Sequence, residues 1–186
     1  MTRAKLIQAA FHNFGEHGYN GGSLAQIAEE TGIKKQSIYT YFKSKDELYL
    51  AIYERAMLNE LEFMKAAMTS YAQQSIEEKL LPLLQQVEQR MGQYVETKFF
   101  IRSTYLTPPH LAQTLTKLTY YYLDYLEQLF EDYFTTQHIT VSPQEAAISY
   151  LALLDSLYVE MLYGGNERFL KRLHASWKIF YKGITN

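Results

Sequence analysis

Residues 23–42 read SLAQIAEETGIKKQSIYTYF, and the fold follows from how these twenty positions alternate. Leu24, Ile27 and Ala28 recur at helical spacing and make one apolar face; Ile33, Ile38 and Phe42 supply the facing half. Ser23, with Gln26 three places on, has capping-box form. Gly32 permits a left-handed turn between the two short helices. The spacing predicts a helix-turn-helix over residues 23–41, a motif whose second helix enters the DNA major groove while the first crosses the backbone. With Ile38 packed inward, Lys35, Gln36, Ser37, Tyr39, Thr40 and Tyr41 are left mostly outside. That surface is rich in donors and holds no carboxylate, which suits phosphates and base edges. Plain helix packing, with Lys34 and Lys35 merely solvated, is the alternative for the same pattern.

The charge distribution agrees with the first reading. The 186 residues carry a net charge of −2, too little for a nonspecific nucleic-acid coat. Residues 1–50 hold six Lys/Arg against five Asp/Glu, whereas residues 51–186 hold twelve against fifteen. From Lys34 to Lys45 there are four lysines and no acid. A basic island on a mildly acidic body fits a local phosphate-binding face.

Working outward, the chain reads as helical throughout. Period-2 alternation is nearly absent, and only 9 Gly and 4 Pro occur, few for an all-β protein. Nine helical segments are expected: about Arg3–His17, Leu24–Thr31, Lys35–Tyr41, from Ser44 past Met64, Ile76–Val95, Lys98–Tyr105, Leu111–Phe134, Pro143–Tyr163 and Glu167–Lys182. Ser44-x-x-Glu47, Ser75-x-x-Glu78 and Ser142-Pro143-x-Glu145 repeat the capping-box form. Gly18, Gly32 and Gly164-Gly165 stand where helices should stop. Pro82 is awkward inside the fifth segment; either the helix kinks there or it begins near Leu81.

At this point the chain resembles the TetR family of bacterial transcriptional regulators. The resemblance rests on Phe14-x-x-x-Gly18-Tyr19, Ser23-Leu24-x-x-Ile27-Ala28, Thr31-Gly32-Ile33 and Ser37-Ile38-Tyr39-x-Tyr41-Phe42-Lys43-Ser44-Lys45-x-Glu47-Leu48. It is close over about residues 3–50; beyond them it covers only length, helical character and helix order. It implies an all-α homodimeric repressor. An N-terminal three-helix DNA-binding domain, residues 1–48, would precede a helical ligand-binding and dimerisation domain, residues 49–186. By matched position it implies that Tyr39 contacts phosphate through its hydroxyl and that Lys45 grips phosphate at a helix start. Lys35, Gln36 and Thr40 match variable positions that read bases or backbone. Ser23 caps its helix and stands near phosphate. Two departures stand out: Lys34 replaces the Ser or Thr that often caps the second helix of the motif, and Tyr41 stands where relatives often have His. Lys34, Ser37 and Tyr41 complete the expected DNA-facing set.

The second half is rich in aromatics: 13 of the 17 Tyr lie beyond residue 50. Tyr150, Leu151, Leu154, Leu157, Tyr158, Met161 and Leu162 form a stripe on the eighth segment. Leu170, Leu173, Trp177, Phe180 and Tyr181 form one on the ninth. These stripes are broad enough for a core and a two-fold mate; a monomeric bundle would bury the same residues. An effector pocket is expected among the fifth to eighth segments, with Phe99, Phe100, Arg102, Tyr105, Tyr121, Tyr125, Asp155 and Tyr158 as candidates. Asp155 interrupts the apolar run LALLDSLYVEML and reads as a buried carboxylate needing a partner. That partner is a cationic ligand in one reading and a Tyr hydroxyl at the dimer contact in the other.

The functions these features exclude are equally specific. There are no cysteines, so disulfides, Cys-ligated metal and Cys nucleophiles are absent. No Glu-x-x-His metal signature, paired catalytic carboxylates, nucleophile elbow or phosphate loop is visible, and neither catalysis, a metal nor a cofactor is expected. No run approaches about 18 apolar residues and the N-terminus is unlike a secretory signal, so a cytoplasmic protein without a membrane partner is expected. The leading expectation is a repressor that binds double-stranded operator DNA and is released by a small-molecule effector. The alternative is an architectural or accessory DNA-binding dimer without an effector.

Overall fold

A computed structural model of the chain describes residues 3–69 and 74–186. Among the described residues there are nine α-helices, one 3-10 turn and no strand. They are α1 (Arg3–Gly21), α2 (Leu24–Glu30), α3 (Lys35–Ile38), α4 (Lys45–Thr69), α5 (Ile76–Gln93), α6 (Val95–Tyr105), α7 (Ala112–Thr135), α8 (Pro143–Tyr163) and α9 (Gly165–Thr185), with the 3-10 turn at Pro109–Leu111 before α7. The chain divides into two compact units, residues 1–60 with 93–120 and residues 61–92 with 121–186.

The first unit is built on α1 against α6, with α2 and α3 packed in series beside α1. Leu6, Ile7, Ala10, Phe11 and Phe14 are buried as their spacing predicts. They meet Tyr49 of α4 and Phe99 of α6 in an aromatic cluster. Phe14 and Tyr49 lie edge to face at 5.2 Å, Tyr49 and Phe99 at 5.1 Å, and Phe11 and Phe99 at 5.5 Å, within the separation at which edge-on rings attract. The hydroxyls of this core are satisfied. Tyr49 donates to Ser103 at 2.7 Å, and Tyr53 bonds Thr104 at 2.9 Å and Thr119 at 2.8 Å. Glu60, also buried, accepts a short hydrogen bond from Thr97.

The second unit is built on α8 against α9. Tyr150 is wholly buried, its ring 4.8 Å from Phe130 and 5.8 Å from Phe180, and its hydroxyl donates to the Leu80 carbonyl at 2.9 Å. Ser142 and Glu145 form the complete reciprocal cap at the start of α8, and Ser75 with Glu78 does the same for α5. Thr140 donates its N–H to Ile184 at 2.8 Å, tying the α7–α8 loop to the end of α9.

Several boundaries differ from expectation. α5 runs through Pro82 from Ile76 and does not begin near Leu81. Its start is fixed by the Ser75 cap, and Pro82 lies about two turns further on, inside the helix. α3 ends at Ile38, not Tyr41, and α6 starts at Val95, not Lys98. Helical geometry in α1 is interrupted at Gly18 (φ 67°, ψ −175°), where the sequence places its stop. α8 is long and apolar enough to cross a membrane by length and composition, and half of that apolar stretch is buried inside the fold.

Candidate nucleic-acid interface

The helix pair is set by three local devices. At the start of α2, Ser23 accepts a hydrogen bond from the Ala25 N–H at 3.2 Å. The reciprocal half of the expected cap is not made by Gln26. Asn13 of α1 takes the Ser23 N–H at 2.8 Å, while its own amide donates to Gln26 at 3.1 Å. The cap is therefore shared between two helices and fixes α2 on α1. At the end of α2, Gly32 (φ 71°) donates to the Glu29 carbonyl at 3.0 Å and Ile33 to Ala28 at 2.9 Å. These two bonds are the Schellman pairing, which requires the left-handed residue that Gly32 supplies without strain. Ile38 and Phe42 are then buried, and the guanidinium of Arg3 lies 5.1 Å from the Phe42 ring.

This leaves an outward face. Lys34, Lys35, Gln36, Tyr39, Thr40 and Tyr41 are exposed and Ser37 is half-buried. Tyr39 is 49% and Tyr41 38% accessible, unusual for aromatic side chains with an apolar core beside them. No acid lies between Lys34 and Lys45. Lys34 takes the N-cap position of α3 without any side-chain cap, and Thr40 spends its hydroxyl on the Ser37 carbonyl at 2.7 Å. The structure thus brings together eight of the nine residues expected to face DNA along one connected stretch, with Ser23 at the head of α2.

Lys45 holds a more complex position than its lysine charge suggested. Its ammonium donates to the Gly22 carbonyl at 2.7 Å and lies 4.4 Å from the Tyr19 ring and 5.7 Å from Phe14. It ties the start of α4 to the α1–α2 turn. Burial holds its pKa below the ordinary lysine value, with Asp46 acting in the opposite direction. Gly22 permits that turn by close approach, since a Cβ there would stand 2.4 Å from Phe14. Beside it, Tyr19 donates a short hydrogen bond to Asp46, and His110 Nε2 lies 3.2 Å from the same carboxylate. Burial first and Asp46 second push the Tyr19 hydroxyl up to about 12. The sequence reading missed Asn13, Gly22 and this cluster, because contacts between helices leave no periodic signal.

The candidate effector residues divide between the units. In the first, Phe99 is enclosed by Phe11 and Tyr49 and Phe100 by Tyr53, while Arg102 and Tyr105 are half-buried. In the second, Tyr121 is 57% exposed, Tyr125 half-buried and Tyr158 buried. Asp155 is half-buried, not buried as expected. The buried carboxylate of α8 is Glu160, paired with Arg168 at 2.9 Å and, at shorter range, with Arg172. Both arginines lie four apart on α9, a spacing that marks one helix face and was the available signal. Among the described residues no group of three or more His, Asp or Glu is placed to hold a metal.

Residues 6–52 match the family model described as bacterial regulatory proteins, tetR family. Over 58 residues the chain is 38% identical to the HTH-type transcriptional repressor SCO4008 of Streptomyces coelicolor, covering 31% of this chain and 30% of that one. Over 67 residues it is 34% identical to the HTH-type transcriptional regulator RutR of Escherichia coli, covering 36% and 32%. The match thus spans about a third of the length of these curated relatives. The fold extends further. The structure of FadR from Bacillus subtilis in complex with stearoyl-CoA superposes with a TM-score of 0.72 at 18% identity over 98% of this chain and 100% of that one. Reduced NemR of E. coli superposes with a TM-score of 0.76 at 17% identity over 98% and 96%. Over its N-terminal helices, residues 6–52, the chain is thus similar to the tetR family of bacterial regulatory proteins.

Proposed function

We propose that the protein is a sequence-specific DNA-binding transcriptional regulator, acting as a repressor that a small-molecule effector releases from its operator. The observation that carries this reading is the acid-free, outward-facing surface from Lys34 to Tyr41, held on a capped helix and a Schellman turn. Lysines there supply phosphate neutralisation, and Gln36, Ser37, Thr40 and the two tyrosines supply hydroxyl and amide groups for phosphates and base edges. Residues 1–48 act as the DNA-binding part and residues 49–186 as the effector-binding and dimerising part.

One such motif reads few base pairs, so useful specificity calls for two copies on half-sites about one helical turn apart. Ile148, Val159 and Tyr163 of α8 and Ile179 of α9 are exposed apolar residues, which supports a homodimer formed through these two helices. For effector contact, Arg102 and Tyr105 of the first unit and, separately, Tyr125 and Asp155 of the second keep side chains partly accessible, so each unit retains candidates of its own. An effector that prefers a conformation unable to span both half-sites weakens DNA binding, and DNA weakens effector binding by the same factor.

Selection from randomised duplexes tests the reading. Enrichment of a palindrome, lost on replacing Lys35 and Tyr39 by alanine, is the expected result. Recovery of no common sequence from repeated rounds would overturn it.

A further inference from the structure

We infer that a recess at the end of α1 and α6, within the first unit, is a binding site for a small organic carboxylate held by Arg102. The recess has a volume of about 190 Å³ and is lined by residues 17–20 at the end of α1, Tyr49 of α4, Arg102, Ser103 and residues 106–109. Its wall contains no acidic residue. Arg102 is the permanently charged group in it, with His17 also in the lining, and the buried Nε of its guanidinium has no hydrogen-bond partner.

A buried, unsatisfied donor on a permanently charged group is costly unless something accepts from it. The guanidinium lies against Gly18, where a Cβ would stand 3.5 Å from Nε and 3.6 Å from the nearer terminal nitrogen. That close approach seats the guanidinium edge, Nε and one terminal nitrogen, against the Gly18 backbone at the recess. Ser103 supplies a second donor. It accepts from Tyr49 at 2.7 Å, which leaves its own hydroxyl proton to give. Tyr19 is committed to Asp46 and adds only its ring.

The ligand class follows from these groups. A planar carboxylate matches the guanidinium fork with two parallel hydrogen bonds. Leu106, Pro108 and Pro109 in the same lining offer apolar contact that inorganic phosphate could not use, so the acid should carry a short apolar body. The inference rests on the effector reading only in singling out Arg102. Its occupancy is measured on the free protein, so failure here leaves the operator selection untouched, and failure there leaves this site untouched.

The test uses the full chain with benzoate as the probe, and with benzamide and inorganic phosphate as comparisons. Titration calorimetry and thermal melting should show saturable benzoate binding that raises the Tm. Benzamide, the neutral isostere, should bind at least about tenfold more weakly, as expected for loss of a charge-assisted hydrogen bond. Arg102→Gln should abolish the benzoate response. Leu106→Trp, at an exposed position where folding is not at stake, should block the recess with Arg102 still in place. Equal binding of benzamide, a response retained in Arg102→Gln, or no benzoate response in the wild type because solvent satisfies the guanidinium would each overturn the proposal. So would preference for inorganic phosphate, which would assign the recess to a wholly polar anion.

Discussion

The tyrosines of residues 39–41 and those of the helical cores differ in where the hydroxyl goes. Tyr49, Tyr53 and Tyr150 are buried, and each hydroxyl ends on a group inside its own unit. Tyr39 and Tyr41 sit beside an equally apolar core, yet they point out from it. A buried tyrosine stabilises through its ring and must find a partner for its hydroxyl; an exposed one leaves that hydroxyl for another molecule. Among these five tyrosines the residue therefore carries two meanings, separated by burial.

The largest expected effect separates them directly. Tyr49→Ala removes the ring that meets both Phe14 and Phe99 and should cost about 3–5 kcal/mol, as for other large aromatic truncations. Tyr39→Ala should change stability by no more than about 0.5 kcal/mol while lowering operator affinity. Chemical denaturation of both variants, beside gel retardation of the second, checks the contrast. Equal destabilisation by the two would break it.

Removing only the hydroxyl gives a finer comparison. Tyr39→Phe should lower operator affinity by roughly 1.5 kcal/mol, about tenfold, the scale of a hydrogen bond to a charged phosphate. Its melting curve should be unchanged. Tyr150→Phe should do the opposite. It loses the bond to the Leu80 carbonyl and about 1 kcal/mol of stability, with operator affinity intact for the fraction that is folded.

Much of the fold was legible because its signals are local. Gly32, the Ser142–Glu145 cap and the periodic burial of Leu6, Ala10 and Phe14 each follow from neighbours in the chain. The outward face from Lys34 to Tyr41 was legible for the same reason: once Ile38 faces inward, helical geometry decides the rest. What was missed lies between helices. The capping-box spacing pairs Ser23 with Gln26, but Asn13, ten residues earlier, takes that place. Asp155 and Glu160 both interrupt an apolar helix, and nothing within α8 tells which one is enclosed. Arg168 and Arg172 on the next helix decide it.

Glu160 gives a pH test of that decision. The hydrogen bond from Arg168 is the largest influence holding its carboxyl below the ordinary value of 4.5; burial opposes, and Arg172 assists. A folded-state pKa below the unfolded one means the stabilising contribution is complete above about pH 4.5 and is lost as pH falls through the lower folded value. Thermal melts of wild type and Glu160→Gln should differ at pH 7 and converge in that acid window. Both arginines are substantially exposed, so salt should shrink the difference. A gap that persists below the window would mean the effect comes from shape, not charge.

The smallest expected effect bears on the recognition segment itself. Lys34 occupies the N-cap of α3 with no side-chain hydrogen bond, so Lys34→Ser restores a missing cap and should stabilise by up to about 1 kcal/mol. The same change removes one cation from the outward face. If Lys34 neutralises a phosphate, the slope of log affinity against log salt should fall by roughly one unit and binding should weaken for every duplex alike. The two readouts are thus expected to move in opposite directions, with stability up and affinity down. Affinity rising with stability would mean that order in α3, not the lysine charge, limits DNA binding. A cation there would then be a solvated neighbour of the surface that Tyr39 and Gln36 present.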